Sequence, residues 1–174
     1  MRALLAFALL ALAFALAASG CAKRESVRID TGSTIPAAMV EPRFSNQRIG
    51  GRAFTPDVSY SVVNSAWLAG FWEDWKADLF DKGVTKWEGR FDCNKFAASF
   101  CAAAQLEFYR DKFHSWTAGQ ALAVGEVWYY AAGRGPHAIV AAITERGVVY
   151  IEPQTGKELR LTQAEESSIY FKRF

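Results

Sequence analysis

The stretch HAIVAAITERGVVYIE, residues 137–152, is the part of the sequence that indicates the fold most clearly. Its two short apolar runs, residues 137–143 and 148–152, are rich in β-branched side chains and flank a tight turn at residues 145–147. Runs of this composition on both sides of a turn predict an antiparallel β-hairpin. The preceding run EVWYYA, residues 126–131, has the same character and predicts a neighbouring strand of the sheet.

Two helices are predicted before these strands. Apolar side chains recur at helical spacing over residues 57–82, and Gly83 follows as a stop signal. The second helix begins at Asp92, a favourable N-cap residue, and ends before His114. Helices followed by antiparallel strands predict an α+β domain in which a helix packs against an antiparallel sheet.

The end of the chain continues the sheet. A short strand is predicted at residues 158–161, and Thr162 and Glu165 have the spacing of a helix capping box. Residues 170–174 are predicted to close the sheet. The last third of the chain is therefore expected to be mainly β.

The N-terminus has the pattern of an exported protein. Arg2 precedes an unbroken apolar run at residues 3–18, and the small residues Ala-Ser-Gly lead into Cys21. This pattern predicts a signal peptide over residues 1–20, and it resembles the lipobox of bacterial lipoproteins, in which the cysteine is acylated. A plain secretory signal and a marginal transmembrane anchor are the alternatives.

The predicted mature chain has two parts: a polar tether without periodicity at residues 21–56 and one domain at residues 57–174. Acylated Cys21 would hold the domain in the cell envelope, on the extracytoplasmic side of a membrane. Ala22 favours the outer membrane in a diderm host. The formal net charge of +2, without a basic block, argues against a nucleic-acid partner, and a monomer is expected.

Cys93 is the candidate chemical group. With Asp92 as N-cap, Cys93 is the first helical residue, where the helix dipole stabilises a thiolate and a backbone N–H can hold an oxyanion. Cys101 lies eight residues further along the same helix, about 12 Å away, which is too far for a disulfide. Both thiols are therefore predicted to be free.

A nucleophilic cysteine needs a base and a group that orients the base. His137 opens an apolar strand, whereas His114 lies in a polar connector and is given no role. Glu152 ends the neighbouring strand of the predicted hairpin and is placed to orient the imidazole of His137. The alternatives are a core-edge histidine bonded to backbone and a strand-end carboxylate in water.

The order Cys93, His137, Glu152 resembles that of papain-like and transglutaminase-like cysteine hydrolases. The tract HAIVAAITERGVVYIEPQTGKELRL resembles the papain-like C-terminal domain of the Marasmius-type fungal agglutinin and its bacterial lipoprotein relatives, over residues 57–174. The resemblance implies a papain-like core and a cysteine peptidase with this triad. The supporting residues beside the triad are Trp87, Asp92 and Gln154.

The resemblance also implies calcium dependence, with Glu152 and Gln154 near a metal whose ligands are otherwise unknown. No other cofactor is expected. The carbohydrate-binding trefoil of the fungal protein has no counterpart in this chain, so lectin activity is not carried over. The leading hypothesis is a lipid-anchored cysteine peptidase that acts on a peptide or cell-envelope substrate.

Three other functions stay open. The pairs Asp92-Cys93 and Gly125-Glu126, with His137, follow the outline of NlpC/P60 murein endopeptidases, although the usual Ser-Gly after the cysteine is absent. The same fold can also serve as an inactive module that binds peptide or envelope polymer in an aromatic-lined groove. A purely structural envelope lipoprotein is the third. Zinc-binding cysteine spacing, phosphate-binding loops and serine-hydrolase elbows are absent from the sequence.

Overall fold

The computed structural model describes residues 27–44, 53–111 and 119–174. The signal peptide, Cys21 and His114 lie outside these ranges. The strands are β1 (Asp30–Pro36), β2 (Ser59–Val63), β3 (Gln120–Leu122), β4 (Val124–Ala131), β5 (Gly135–Thr144), β6 (Gly147–Glu152), β7 (Lys157–Leu159) and β8 (Phe171–Arg173). The α-helices are α1 (Ser65–Asp81), α2 (Cys93–Arg110) and α3 (Gln163–Ser167). None of the helices in the described ranges is both long and apolar enough to cross a membrane.

The strands form one mixed sheet around the predicted hairpin. The main order is β1-β2-β5-β4-β8, with β3 beside β2 and with β6 and β7 continuing from β5. β4 pairs antiparallel with β5 along its whole length, and β5 and β6 pair antiparallel across the turn that ends at Gly147. β2 pairs in parallel with β3. The predicted α+β class is therefore confirmed, with a core made mainly of sheet.

Helix α1 begins later than the sequence pattern predicts. The segment SYSVV forms β2 instead, and its Tyr60 and Val63 are fully buried. Asn64 then separates strand from helix, because its side-chain oxygen accepts hydrogen bonds from the backbone N–H groups of Ala66 and Trp67. Tyr60 and Val63 share the helical spacing only by coincidence, since β-branched and aromatic residues also suit a strand.

Residues 30–44, which the sequence pattern places in the tether, contribute to the core. β1 pairs with β2, and Ile35 and Phe44 are buried. The buried ammonium of Lys172 lies 2.7 Å from a carboxylate oxygen of Glu41 and stands over the ring of Phe44. One short strand followed by two 3-10 turns has no sustained period, so the sequence pattern does not reveal this packing.

Helix α2 packs between the sheet and α1, as the sequence predicts for the helix that begins at Cys93. Its contact with α1 is aromatic: the ring of Phe100 meets Phe71 and Trp75 edge-on, each at 5.1 Å between centroids. The side chain of Phe96 lies on the same side and meets Trp75 at 6.4 Å. This packing fixes the axis of α2 and thereby the position of its first residue.

Candidate functional site

His137 and Glu152 form a hydrogen-bonded pair, as the hairpin predicts. The Nε2 atom of His137 in β5 lies 2.7 Å from Oε2 of Glu152 at the end of β6, and both side chains are about nine-tenths buried. The ring of Tyr129, directly opposite His137 on β4, meets the imidazole edge-on with centroids 5.9 Å apart. The carboxylate and the tyrosine ring together fix the plane of the imidazole.

The turn after β6 is held by Trp72 of α1, which the sequence analysis did not single out. The indole N–H of Trp72 donates to the carbonyl of Pro153 at 2.8 Å. Gly156, at φ +71°, lies so close to the indole that a Cβ there would be 2.5 Å from a ring carbon. The N–H of Gly156 donates to the carbonyl of Glu152 at 2.8 Å. Trp72 and Gly156 therefore fix the backbone that carries Glu152.

Cys93 is partly buried at the first position of α2, and Cys93 and Cys101 are both free, as predicted. Among the described residues, no hydrogen bond joins the thiol of Cys93 to His137. Asp92 occupies the N-cap position, but its carboxylate bonds Lys95 at 3.0 Å instead of capping the backbone. The hydrogen bond from Lys95 lowers the pKa of the Asp92 carboxyl below its usual range.

The other predicted supporting residues contribute little through their side chains. Gln154 reaches the pair through its backbone, whose N–H lies 3.4 Å from Oε1 of Glu152. Trp87 is 55% exposed in the loop before α2, and its ring makes no aromatic contact within the described part of the chain. The structure therefore brings together His137, Glu152 and the backbone of Gln154, and it leaves Trp87 apart.

A surface cluster of aromatic rings lies where β4 pairs with β8. The aromatic cluster consists of Trp128 and Tyr130 on β4, and of Tyr170 and Phe171 at the start of β8. The rings of Tyr130 and Tyr170 have centroids 5.2 Å apart, and those of Trp128 and Phe171 are 5.0 Å apart. Tyr130 is 56% exposed and Tyr170 is 37% exposed, so both rings present area to solvent.

Backbone hydrogen bonds order the aromatic cluster, and one of its phenols is influenced by Cys93. Burial raises the pKa of the Tyr170 phenol, and nearby Tyr130 and Cys93 raise it further. The hydroxyl of Ser168 accepts from the N–H of Tyr130 at 2.9 Å, and the N–H of Tyr170 donates to the carbonyl of Trp128 at 3.0 Å. Of the two tyrosines, Tyr170 is the one whose phenol pKa is influenced by Cys93.

The sequence contained a signal for the aromatic cluster. In EVWYYA, successive strand residues alternate between the two faces, so Trp128 and Tyr130 share one face and Tyr129 takes the other. The ring of Tyr170, which contacts that of Tyr130, lies 40 residues further along the chain, immediately before β8. Only the pairing of Trp128 with Phe171 in the register of β4 and β8 brings these rings together.

The metal neighbourhood that the resemblance implies lies around Glu152 and Gln154. Both carboxylate oxygens of Glu152 are engaged, one by His137 and one by the backbone N–H of Gln154. Within the described ranges, no group of three or more His, Cys, Asp and Glu side chains is arranged to hold a metal ion. Calcium therefore enters no step of the function proposed below, and calcium dependence stays a prediction.

Comparison with solved structures identifies a fungal lectin of the same fold. The PSL1a-E64 complex superposes with a TM-score of 0.61 at 22% identity, covering 81% of this chain and 51% of that chain. Polyporus squamosus lectin bound to the human-type influenza-binding epitope Neu5Aca2-6Galb1-4GlcNAc gives 0.60 at 21% identity, covering 81% and 49%. This chain spans about half of each lectin chain. No protein-family model and no curated protein sequence matches it.

These neighbours are chains of a fungal lectin related to the Marasmius-type agglutinin. The predicted resemblance is therefore confirmed at the level of that relationship, whereas a papain-like core is not confirmed. At 21–22% identity the likeness shows a shared fold, and the residues that carry out binding in the lectin are not transferred by it.

The predicted function of cysteine peptidase is wrong. The structural neighbours are lectins, which are sugar-binding proteins, and no peptidase homologue is found. The hydrolase and peptidase assignments are corrected together with it. The order Cys93, His137, Glu152 misled because a thiol at a helix start and a largely buried histidine–carboxylate pair also occur as structural features.

Proposed function

We propose that this protein is a binding module of the cell envelope that recognises a glycan-bearing polymer through its aromatic cluster. The observation that carries the proposal is the pair of exposed rings, Tyr130 on β4 and Tyr170 immediately before β8, which lie side by side. The backbone hydrogen bonds at both tyrosines hold this surface in place before any ligand arrives. A preformed surface loses little conformational entropy on binding.

Aromatic side chains suit the recognition of sugars. The face of a pyranose ring carries C–H groups that pack on an aromatic face, and the phenol hydroxyls donate to and accept from sugar hydroxyls. Tyrosine also supplies large contact area with only two side-chain torsions to order. The aromatic cluster therefore offers both an apolar platform and a polar rim at Tyr130 and Tyr170.

The structural neighbours support a sugar ligand. Both are chains of a lectin, and one is bound to an oligosaccharide epitope. Because this chain spans about half of each of those chains, sugar binding enters here as part of the proposal. Cys93 is proposed to be a structural neighbour of the aromatic cluster, and the pair of His137 and Glu152 a buried polar contact that fixes the adjoining strands.

The proposal places the module on the extracytoplasmic side of a membrane, held by lipid on Cys21. The support is the sequence pattern of residues 1–21. The variant Cys21→Ser is expected to lose incorporation of labelled palmitate and to leave the membrane fraction. Labelling that persists in this variant would contradict acylation at Cys21.

Binding to isolated murein sacculi and to soluble glycan fragments tests the proposed function. The purified full-length protein is expected to sediment with sacculi, and Tyr130→Ala/Tyr170→Ala is expected to weaken this binding at least tenfold. The control Tyr109→Ala removes a tyrosine that is also exposed, on α2. Equal binding by the double variant and the wild-type protein would refute the proposed role of the aromatic cluster. Release of glycan or peptide fragments that Cys93→Ala abolishes would refute a non-enzymatic module.

A further inference from the structure

A groove runs along the outer side of α1 and α2, away from the aromatic cluster. We call it the helix groove; its volume is about 970 Å³, and it is lined by residues of both helices. Small side chains of α1, Ala66, Ala69 and Gly70, form one wall at helical spacing. Ala103 and Leu106 of α2 form the other wall, and Leu106 is 46% exposed.

The helix groove is apolar at its base. The indole of Trp67 stacks on the ring of Phe71, with centroids 4.7 Å apart and planes 20° from parallel. Val27, at the first described position of the chain, also lines the helix groove and is 46% exposed. A concave surface with small walls and an aromatic base admits bulky aliphatic side chains from a partner.

The rim of the helix groove carries excess negative charge. Four carboxylates line it, those of Glu73, Asp74, Asp78 and Glu107, against the cations of Lys82 and Arg110. Lys82 pairs with Asp78, and Arg110 pairs with Glu107 at 3.4 Å. Within the described part of the chain, Glu73 and Asp74 have no basic partner. Among the described residues, these two adjacent carboxylates on α1 are available to pair with the cation of a partner.

We infer that the helix groove is a docking site for a cationic amphipathic helix of a partner protein. Its aliphatic side chains pack between the small residues of α1 and Leu106, and its Lys or Arg side chains pair with Glu73 and Asp74. Small residues at three- and four-residue spacing let a third helix approach α1 closely. Charge complementarity selects a basic partner and excludes an acidic one. This site is separate from the aromatic cluster and does not rest on the proposed function.

Titration of the full-length protein with two model peptides tests this inference. One is an amphipathic peptide of about 14 residues made of Leu and Lys at helical spacing, and the other carries Glu in place of Lys. Fluorescence anisotropy of labelled peptide is expected to show saturable binding of the Lys peptide, weakened by added NaCl, and at least tenfold weaker binding of the Glu peptide. Equal affinities for the two peptides would overturn the inference.

A pair of charge-neutralising variants locates the binding site. Glu73→Gln/Asp74→Asn is expected to weaken binding of the Lys peptide at least fivefold, with the salt dependence reduced. Asp81→Asn/Glu88→Gln removes the same two kinds of carboxylate outside the helix groove and is expected to change the affinity less than twofold. Equal losses in both double variants would show non-specific attraction and would overturn the inference.

Two further outcomes concern other occupants of the helix groove. Self-association in analytical ultracentrifugation that Leu106→Ser abolishes would show that a second copy of the chain covers it, and would overturn the inference. Displacement of the Lys peptide by glycan fragments would place the sugar here and overturn it as well. Unchanged peptide binding by Tyr130→Ala/Tyr170→Ala is expected, since the two surfaces are separate.

Discussion

At the scale of single residues, the pair of His137 and Glu152 shows how a buried polar group is accommodated. The carboxylate contacts the imidazole with one oxygen and the backbone of Gln154 with the other, so its acceptors are satisfied although its side chain is about nine-tenths buried. Such a pair is costly to break, because the remaining partner stays buried without its hydrogen bond. It stabilises the β5–β6 hairpin whether or not it contacts a ligand.

Substitution of Glu152 tests this stabilising role. Glu152→Ala is expected to lower the free energy of unfolding by about 1–3 kcal/mol, because the imidazole of His137 loses its partner. Glu152→Gln keeps an acceptor in the same place and is expected to cost less than half as much. Urea denaturation followed by circular dichroism measures both values, and equal costs for the two variants would contradict this account.

Gly156 is constrained both by its backbone angle and by its contact with Trp72. Gly156→Ala is expected to lower the free energy of unfolding by about 2–4 kcal/mol, because the added methyl group enters the indole and the φ of +71° is strained for alanine. Gly133→Ala is the matched control, since Gly133 has the same φ and open space around it. Thermal denaturation of both variants separates the steric cost from the conformational cost.

At the scale of elements, α3 is short and depends on its cap. The Thr162 hydroxyl accepts from the N–H of Glu165 at 3.2 Å, and the Glu165 carboxylate accepts from the N–H of Thr162 at 3.0 Å. The same carboxylate accepts from the N–H of Ala132 at 3.2 Å in the loop after β4. The predicted capping box is confirmed, and it also joins α3 to the β4–β5 turn.

Acid titration tests the cap. The backbone N–H groups of Thr162 and Ala132, with the Thr162 hydroxyl, lower the pKa of the Glu165 carboxyl below its ordinary value of 4.5. A lowered folded-state pKa gives stability that is present above pH 4.5 and is lost as the pH falls through the folded-state pKa. The stability advantage of the wild-type protein over Glu165→Gln, measured by urea denaturation, is expected to shrink from pH 6 to pH 3. A constant difference would contradict this assignment.

The same cap contributes to stability near neutral pH. Thr162→Ala removes the hydroxyl that bonds the first turn of α3 and is expected to lower the free energy of unfolding by about 1 kcal/mol. Thr162→Ser keeps the hydroxyl and is expected to stay close to the wild-type value. Urea denaturation at pH 7 measures both, and an equal loss in the two variants would contradict the capping role.

At the scale of the whole molecule, residues 41–44 pack against the C-terminal residues 172–174. Phe44 meets Phe174 edge-on at 5.7 Å, and Lys172 of β8 pairs with Glu41. The backbone of Gly125 on β4 lies against Arg173 and Phe174, where a Cβ would be 2.2 Å from a carbonyl oxygen. These contacts join segments that are far apart in the chain across one sheet.

The alkylation rate of Cys101 tests the packing of α2 against the sheet. Cys101 of α2 is partly buried against the core. Desolvation raises the pKa of its thiol, and the negative charge of Glu126 raises it further against the opposing effect of Arg173. Because the thiolate is the reactive form, native Cys101 is expected to alkylate with iodoacetamide at pH 8 at least tenfold more slowly than in urea. Mass spectrometry of the Cys93→Ser variant measures this rate, and equal rates would show that the packing between α2 and the sheet opens locally.

Elements whose signals are local could be predicted from the sequence alone. The hairpin at residues 137–152, the helix that begins at Cys93 and the capping box at Thr162 each depend on residues close together in the chain. The contact between His137 and Glu152 was also predictable, because a tight turn fixes the register of the two strands. The α+β class followed from the order of these elements.

Contacts between segments far apart in the chain became visible only in the folded structure. The edge-on contact of Phe44 with Phe174 and the tilted contact of Tyr130 with Tyr170 join residues at least 40 positions apart, and no periodicity records such pairs. Tyr60 has the spacing of a helix but lies in β2, where it pairs with residues of β1 and β3. Pairing with these two strands outweighs the helical spacing of the apolar residues. The function was mistaken for the same reason: residue order suggests a triad, whereas the surface that a ligand meets is assembled by the fold.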